Sequence, residues 1–291
     1  MTKTHGLTLV ECPRDAMQGI KTFIPTAVKI QYLTTLLRQG FDVLDCGSFV
    51  NPESIPQMAD TAEVIQAISE VETNTELLVI VANERGALRA VAYPKIKYLG
   101  FPLSVSETFQ KRNTNASREE AFRRLARIQD IAVASGKEVV AYLSMAFGNP
   151  YGDDWSAQEV AEWASKIASL GIRIISLSDT VGTANAEQLG DLFSEIHDRL
   201  PHVEVGVHLH AKPNEWLAKV EAAYNHGCRR FDAALGGFGG CPMAKDDLVG
   251  NIPSEGAFSW LSQRESAGLT MKIQWDELRL LAQETYTFGT Y

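Results

Sequence analysis

"VEVGVHLHAKPNEWLAKVEAAYNHGCRRFDAAL", residues 203–235, reads as strand, polar loop, helix and second strand in one pass. Strand side chains alternate faces, so His208 and His210 point one way and Leu209 the other. Two imidazoles on one side of a strand end make either half of a metal site or two surface histidines on a polar face. The H-x-H spacing alone does not decide between them. The switch from period two to a helical stripe does decide the local architecture, because a strand, a helix and a strand in this order form a parallel unit.

The same alternation runs through the rest of the chain. "LTLVEC" is a strand, and "TAVKIQYLTTLLRQG" a helix that Gly40 closes. "FDVLDCGSF" is the second strand, "TAEVIQAI" a helix, "ELLVIVAN" the third strand, and "ERGALRAVAY" a short helical turn. "KYLGFPLSVSE" is a strand running into a polar loop. "SREEAFRRLARIQDIAVASG" carries a capping box at Ser117 and Glu120 and a stop at Gly136. "EVVAYLSMAF", "SAQEVAEWASKIASLG", "IRIISLSDT" and "NAEQLGDLFSEIHDRL" continue the pattern up to the opening stretch. Eight strand candidates followed by helices, in a chain near the roughly 250 residues typical of the fold, predict an α/β protein with a (β/α)₈ barrel. The rival doubly wound sheet would carry a dinucleotide or P-loop fingerprint after an early strand, and none is present. We expect one barrel domain over residues 1–291 with a C-terminal helical extension.

Composition narrows the function. With 45% hydrophobic residues and a net charge of −9, the chain is an ordinary globular protein and a poor match for nucleic acid or an anionic membrane. It has no apolar run of membrane-spanning length. "MTKTHGLTLVECPRD" enters a strand almost at once, so no targeting peptide is expected. Cys12, Cys46, Cys228 and Cys241 lie far apart, as suits reduced thiols in a cytoplasmic enzyme.

In such a barrel the chemistry sits at the C-terminal ends of the strands. Read in order, those ends carry Arg14 and Asp15, then Asp45 and Ser48, then Ser106 and Glu107. Ser144 and Asn149 follow, then Asp179 and Thr180, then His208 and His210, and finally Cys241 and Asn251. Each has a plain structural explanation: a surface ion pair for Arg14–Asp15, a helix cap for Asp179–Thr180, an inert thiol for Cys241. Their convergence on one rim favours a site. An Asp, two His and an Asn form an oxygen and nitrogen donor set suited to Mg²⁺ or Mn²⁺.

The segments "VECPRDAMQ" (10–18), "GSFVNPESIPQMAD" (47–60), "SVSETFQKRNTN" (104–115), "YLSMAFGNPYG" (142–152), "SLSDTVG" (176–182), "VHLHA" (207–211) and "GGFGGCPMAKDDLVGN" (236–251) together resemble the 3-hydroxy-3-methylglutaryl-CoA (HMG-CoA) lyases. That resemblance implies cleavage of HMG-CoA to acetyl-CoA and acetoacetate, as in leucine degradation, by a cytoplasmic homo-oligomer, a dimer. It implies a divalent ion held by Asp15, His208, His210 and Asn251. Arg14 would neutralise the developing enolate, Asp45 would support Arg14, His208 would shuttle the hydroxyl proton, and Cys241 on its glycine loop would protonate the product. Gln18, Ser48, Ser106, Asn149, Asp179 and Thr180 would line the acyl-CoA substrate site, and Lys111 and Arg112, placed in a rim loop, would meet the CoA phosphates.

Four departures from the family pattern bear on the substrate's acyl branch. Asp45 stands for the usual Glu, Asn149 for a cysteine, and Ala211 for the Asp after H-x-H, while the loop before Asn251 is one residue longer. The other basic groups, "KIK" (95–97) and Arg118, Arg123, Arg124 and Arg127, fit a solvated face that pairs with acids such as Glu119 and Glu120. Cleavage of another 3-hydroxyacyl-CoA, aldol cleavage of a 2-oxo acid, and a silent barrel that only binds CoA esters are the competing readings.

Overall fold

The computed structural model describes residues 6–240, 249–264 and 273–288. Eight strands form its centre: β1 (Thr8–Glu11), β2 (Val43–Ser48), β3 (Glu76–Ile80), β4 (Ile96–Ser104), β5 (Glu138–Ser144), β6 (Ile174–Asp179), β7 (Glu204–Ala211) and β8 (Arg230–Ala233). Each pairs in parallel with the next, and β8 pairs with β1, so the sheet closes into a barrel with no free edge. The helices are α1 (Pro13–Gln18), α2 (Thr26–Leu37), α3 (Thr61–Ile68), α4 (Glu84–Val91), α5 (Glu107–Thr114), α6 (Arg118–Ala134), α7 (Ala157–Ser169), α8 (Ala186–Arg199), α9 (Trp216–Asn225), α10 (Ser254–Ser262) and α11 (Trp275–Tyr286). The sequence expectation of a (β/α)₈ barrel holds.

Local chemistry starts the helices where they start. Asn83, Ser117, Ser156 and Asn185 each accept a hydrogen bond from a backbone N–H in the first turn of α4, α6, α7 and α8. At α6 the capping box is complete, with the Glu120 carboxylate returning to the Ser117 N–H. The outward strand residues, such as Leu9, Leu44, Leu177 and Leu209, pack beneath the helices in the large core. Inside the barrel Val10, Cys12, Val43, Leu78, Val140, Tyr142 and Ile174 form a separate small cluster. Gly206 is required there, because a Cβ at that position would lie 2.9 Å from the Cβ of buried Arg230.

Three local features refine the expectation. Asp45 and Ser48 lie on β2, within the stretch read as the second strand, and a register shift between Asp45 and Gly47 falls between them. Lys111 and Arg112 lie on α5, not in a loop. This helix forms because Ser106 caps it and because Asp153, from a distant loop, accepts from Ser106 Oγ, Thr108 N and Thr108 Oγ1. The third is a two-residue strand, β9 (Gly250–Asn251), which pairs antiparallel with β7 and sets Asn251 opposite His210.

Candidate active site

The site begins with the turn that leaves β1. Pro13 opens α1 at a position where its missing N–H costs nothing, and the next two residues, Arg14 and Asp15, ride the first turn into the barrel mouth. Arg14 Nε lies 3.0 Å from Asp45 Oδ2 and 3.2 Å from Oδ1, and its Nη2 meets the same carboxylate. Its Nη1 donates to Asp15 Oδ1 at 3.0 Å and to Gln18 Oε1 at 2.9 Å. Gln18 in turn donates to Asp15 Oδ1 at 2.8 Å. A planar fork fixed on both edges is aimed rather than mobile.

From the other side come the histidines. The rings of His208 and His210 stand 5.2 Å apart between centroids, on the same face of β7. His210 Nδ1 lies 2.9 Å from the carbonyl oxygen of Thr180. A carbonyl only accepts, so Nδ1 carries the proton and the lone pair sits on Nε2. That Nε2 is buried and has no partner among the described residues. Asn251 Nδ2 donates to Asp15 Oδ2 at 2.8 Å and to the Phe238 carbonyl at 2.9 Å, which leaves its Oδ1 buried and unpartnered as well. Gly239 permits this closeness: at φ +85°, a Cβ there would sit 2.7 Å from Ala16 Cα and 2.9 Å from both Asn251 Nδ2 and the Asp15 carbonyl.

The charges favour a cation. Burial raises the Asp15 carboxyl, but Arg14, His208 and His210 outweigh it and bring it to about 2, so it is ionised. Burial and the neighbouring His208 push His210 below the ordinary histidine value and keep it neutral. Burial also opposes protonation of His208, yet its contact with Asp232 and the charge of Asp15 raise it overall. For Asp45, burial lifts the carboxyl to about 6 even against Arg14. Ligand atoms of Asp15, His208 and His210 lie within 4.8 Å of one another, and the two orphaned acceptors are the features a bound divalent ion would satisfy. The donor set therefore fits such an ion.

The remaining expected residues are placed as follows. Thr180 Oγ1 accepts from Met145 N at 2.9 Å, and Ser48 Oγ reaches the Ile80 carbonyl at 3.3 Å. Ser106 is held by α5 and Asp153, and Asn149 organises its own loop through Tyr151 N, Asp153 N and the Asp153 carbonyl. Asp179 is buried against Lys219 Nζ at 2.7 Å. Lys111 pairs with Glu107 at 3.1 Å, and the Arg112 guanidinium stacks 4.7 Å over the Tyr151 ring. Arg118 and Arg127 pair with Glu159 and Glu84 on neighbouring helices rather than with Glu119 and Glu120. Cys241 lies outside the described residues.

Three buried ionisable residues that the motifs did not single out also belong to the site's frame. Asp232 Oδ2 stands 3.3 Å from His208 Nδ1. Lys219 donates to Asp179, to the Gly182 carbonyl and, at 2.8 Å, to the His210 carbonyl. Glu11 accepts from Leu235 N at 2.9 Å and from Ser254 Oγ. An acid inside the apolar strand "RFDAAL" was a usable signal for Asp232; the partners of Lys219 and Glu11 lie too far along the chain to be read. A cavity of 240 Å³ beside the start of β3, lined by Thr75, Glu76 and Lys95 among others, shares no residue with this cluster.

Comparison with known proteins gives a consistent result. The HMGL-like family model matches residues 9–283. The mitochondrial hydroxymethylglutaryl-CoA lyase of Mus musculus is 35% identical over 243 residues, covering 84% of this chain and 74% of that protein. The cytoplasmic 3-hydroxy-3-methylglutaryl-CoA lyase of Rattus norvegicus is 34% identical, with 84% and 70% covered. A solved HMG-CoA lyase of Acinetobacter baumannii, in complex with coenzyme A and 3-methylmalate, superposes with a TM-score of 0.84 at 31% identity, covering 98% of this chain and 92% of that one.

Proposed function

The chain belongs to the HMGL-like family, and from that premise we propose that it is a divalent-metal-dependent carbon–carbon lyase that cleaves HMG-CoA to acetyl-CoA and acetoacetate. The observation that carries the reading is the pair of buried acceptors without a partner among the described residues, His210 Nε2 and Asn251 Oδ1, beside ionised Asp15 and the fixed Arg14. Asp15, His208, His210 and Asn251 would hold the ion, Mg²⁺ or Mn²⁺, which when bound supplies Lewis-acid activation of the substrate's hydroxyl.

The chain's own groups account for the rest. The C2–C3 bond breaks, and the 3-hydroxyl loses its proton and becomes the ketone of acetoacetate. The bonding pair moves to the thioester side as an enolate, and a proton added at C2 completes acetyl-CoA. His208 has its Nδ1 turned to Asp232, so its Nε2 serves two duties in turn: it holds the ion and, when released from it, receives the hydroxyl proton. Arg14, aimed by Asp45, neutralises the enolate oxygen. Cys241, beyond the described residues, returns the proton to carbon. Arg112 and Lys111 on α5 face the CoA phosphates, with Gln18, Ser48, Ser106, Asn149, Asp179 and Thr180 shaping or bracing the substrate site. The same reading takes the protein as a cytoplasmic homodimer acting in leucine breakdown; no described helix is long and apolar enough to cross a membrane.

The test is turnover by purified protein with Mg²⁺ or Mn²⁺ against a panel of 3-hydroxyacyl-CoAs, with acetyl-CoA release followed directly. HMG-CoA is expected to give the highest kcat/KM. Preference for another acyl group would move the substrate to the departures at Asp45, Asn149 and Ala211, and release from none would refute the lyase reading.

A further inference from the structure

A second donor set lies beneath the first, on three neighbouring strands. Cys12 Sγ follows β1, Asp232 belongs to β8 and His208 to β7; their ligand atoms lie within 4.8 Å of one another, and all three residues are buried. The Cys12 N–H donates to the Ala233 carbonyl at 2.9 Å, which ties the thiol's backbone to the strand that carries Asp232. Asp232 Oδ1 has no partner among the described residues, although its side chain is fully buried. Its Oδ2 stands 3.3 Å from His208 Nδ1. That is long for an N–H···O bond, whose usual upper range is about 3.2 Å. It is also the separation of roughly 3.3 Å that two ligands keep across one tetrahedral ion with bonds near 2.0–2.1 Å.

We propose that Cys12, His208 and Asp232 form a second cation site, one that takes a thiophilic divalent ion such as Zn²⁺ or Cd²⁺ and inhibits the enzyme by engaging the imidazole shared with the upper site. Thiolate is the ligand that separates this set from the oxygen and nitrogen set above it, and thiolate selects soft ions over Mg²⁺. Binding exchanges the thiol proton for the ion: the S–H bond breaks, a sulfur–metal bond forms, and the proton leaves to solvent. Burial, followed by the charges of Asp232, Asp45, Asp15 and Glu11, raises the Cys12 thiol well above its ordinary value. Burial, the larger cause, disfavours a bare thiolate, while the neighbouring carboxylates that add to the rise draw in a dication, whose bond to sulfur replaces the proton.

Inhibition rests on the lyase reading; binding does not, so the two are measured separately. Metal-free protein is titrated with Cd²⁺ while the ultraviolet thiolate-to-cadmium absorption is followed, and Mn²⁺-supported turnover is titrated with Zn²⁺. The wild type should show a saturable band that Cys12→Ala and Cys12→Ser lose. Asp232→Asn should weaken the midpoint by at least the roughly 10–100-fold that loss of a metal-site partner costs. Cys12→Ala, with its basal activity intact, should resist Zn²⁺ over the same range. A band unchanged in both Cys12 variants, or no band in the wild type, overturns the site and leaves the lyase reading standing. A band lost in Cys12→Ala from protein that never cleaves HMG-CoA supports the site and refutes the lyase reading instead. Zn²⁺ inhibition unchanged in Cys12→Ala overturns the inhibitory role.

Discussion

Arg14 is held by two carboxylates and an amide, an arrangement that only a planar, multiply donating group can satisfy. Arg14→Lys keeps the charge and loses the fork, so kcat should fall by roughly 10²-fold, the low end of what removing one oxyanion donor costs, while KM stays near wild type. Steady-state kinetics on HMG-CoA reads this directly. His210→Ala removes a neutral donor from a barrel that does not need it to close; Mn²⁺ affinity, followed by calorimetry, should fall by more than about tenfold with the melting temperature little changed. Glu11 makes a different prediction. Burial raises its carboxyl from 4.5 to about 8, against the hydrogen bonds from Ser254 and Leu235. A carboxyl that holds its proton more tightly folded than unfolded stabilises the protein fully below pH 4.5 and loses that contribution as pH rises toward 8. Glu11→Gln mimics the neutral form, so the variant should gain stability relative to wild type across that window in denaturant titrations at several pH values. Single residues were legible where the strand period fixes their face: His208 and His210 share one side because strands alternate. Glu11 was not legible as an anchor, since its partners at 235 and 254 reach it only through closure of the barrel.

At the scale of elements, α9 does more than cover the barrel. Its Lys219 reaches through to Asp179 at the end of β6 and to the His210 carbonyl on β7, so one helix braces the strand that carries both histidines. Lys219→Met leaves Asp179 buried without its counter-charge, held by the Thr183 and Ala184 N–H groups alone among the described residues. It should cost about 3–5 kcal/mol of stability by chemical denaturation, and any folded fraction should bind Mn²⁺ more weakly. Capping and periodicity made most helices readable, α6 above all. Two elements escaped for physical reasons. The α5 segment "ETFQKRNT" is polar, with Phe109 its main apolar anchor, and its order comes from Asp153 across the rim, a contact that periodicity does not encode. With two residues, β9 shows no period at all, and it exists because the segment after β8 folds back along β7.

For the molecule as a whole, the repeated strand–helix alternation sufficed to predict the closed barrel, because a parallel strand buried on both faces leaves few other ways to cover its apolar surface. The rim was legible as a set of polar residues, and the structure sorts that set. Arg14, Asp15, Gln18, Asp45, His208, His210 and Asn251 converge in one connected cluster. Ser106 and Asn149 instead spend their polar atoms on neighbouring turns. A sequence lists candidates at strand ends but cannot say which side chains are already engaged elsewhere. The central claim is that the cluster holds a divalent ion without which the carbon–carbon bond stays intact. The decisive measurement is chelator-treated protein given HMG-CoA, with acetyl-CoA and acetoacetate quantified before and after Mn²⁺ is restored, in wild type and His210→Ala. The account predicts no cleavage without the ion, equal amounts of both products once it returns to the wild type, and little recovery in the variant at the same Mn²⁺ concentration. Undiminished cleavage in the chelated enzyme, or full recovery in His210→Ala, would contradict it.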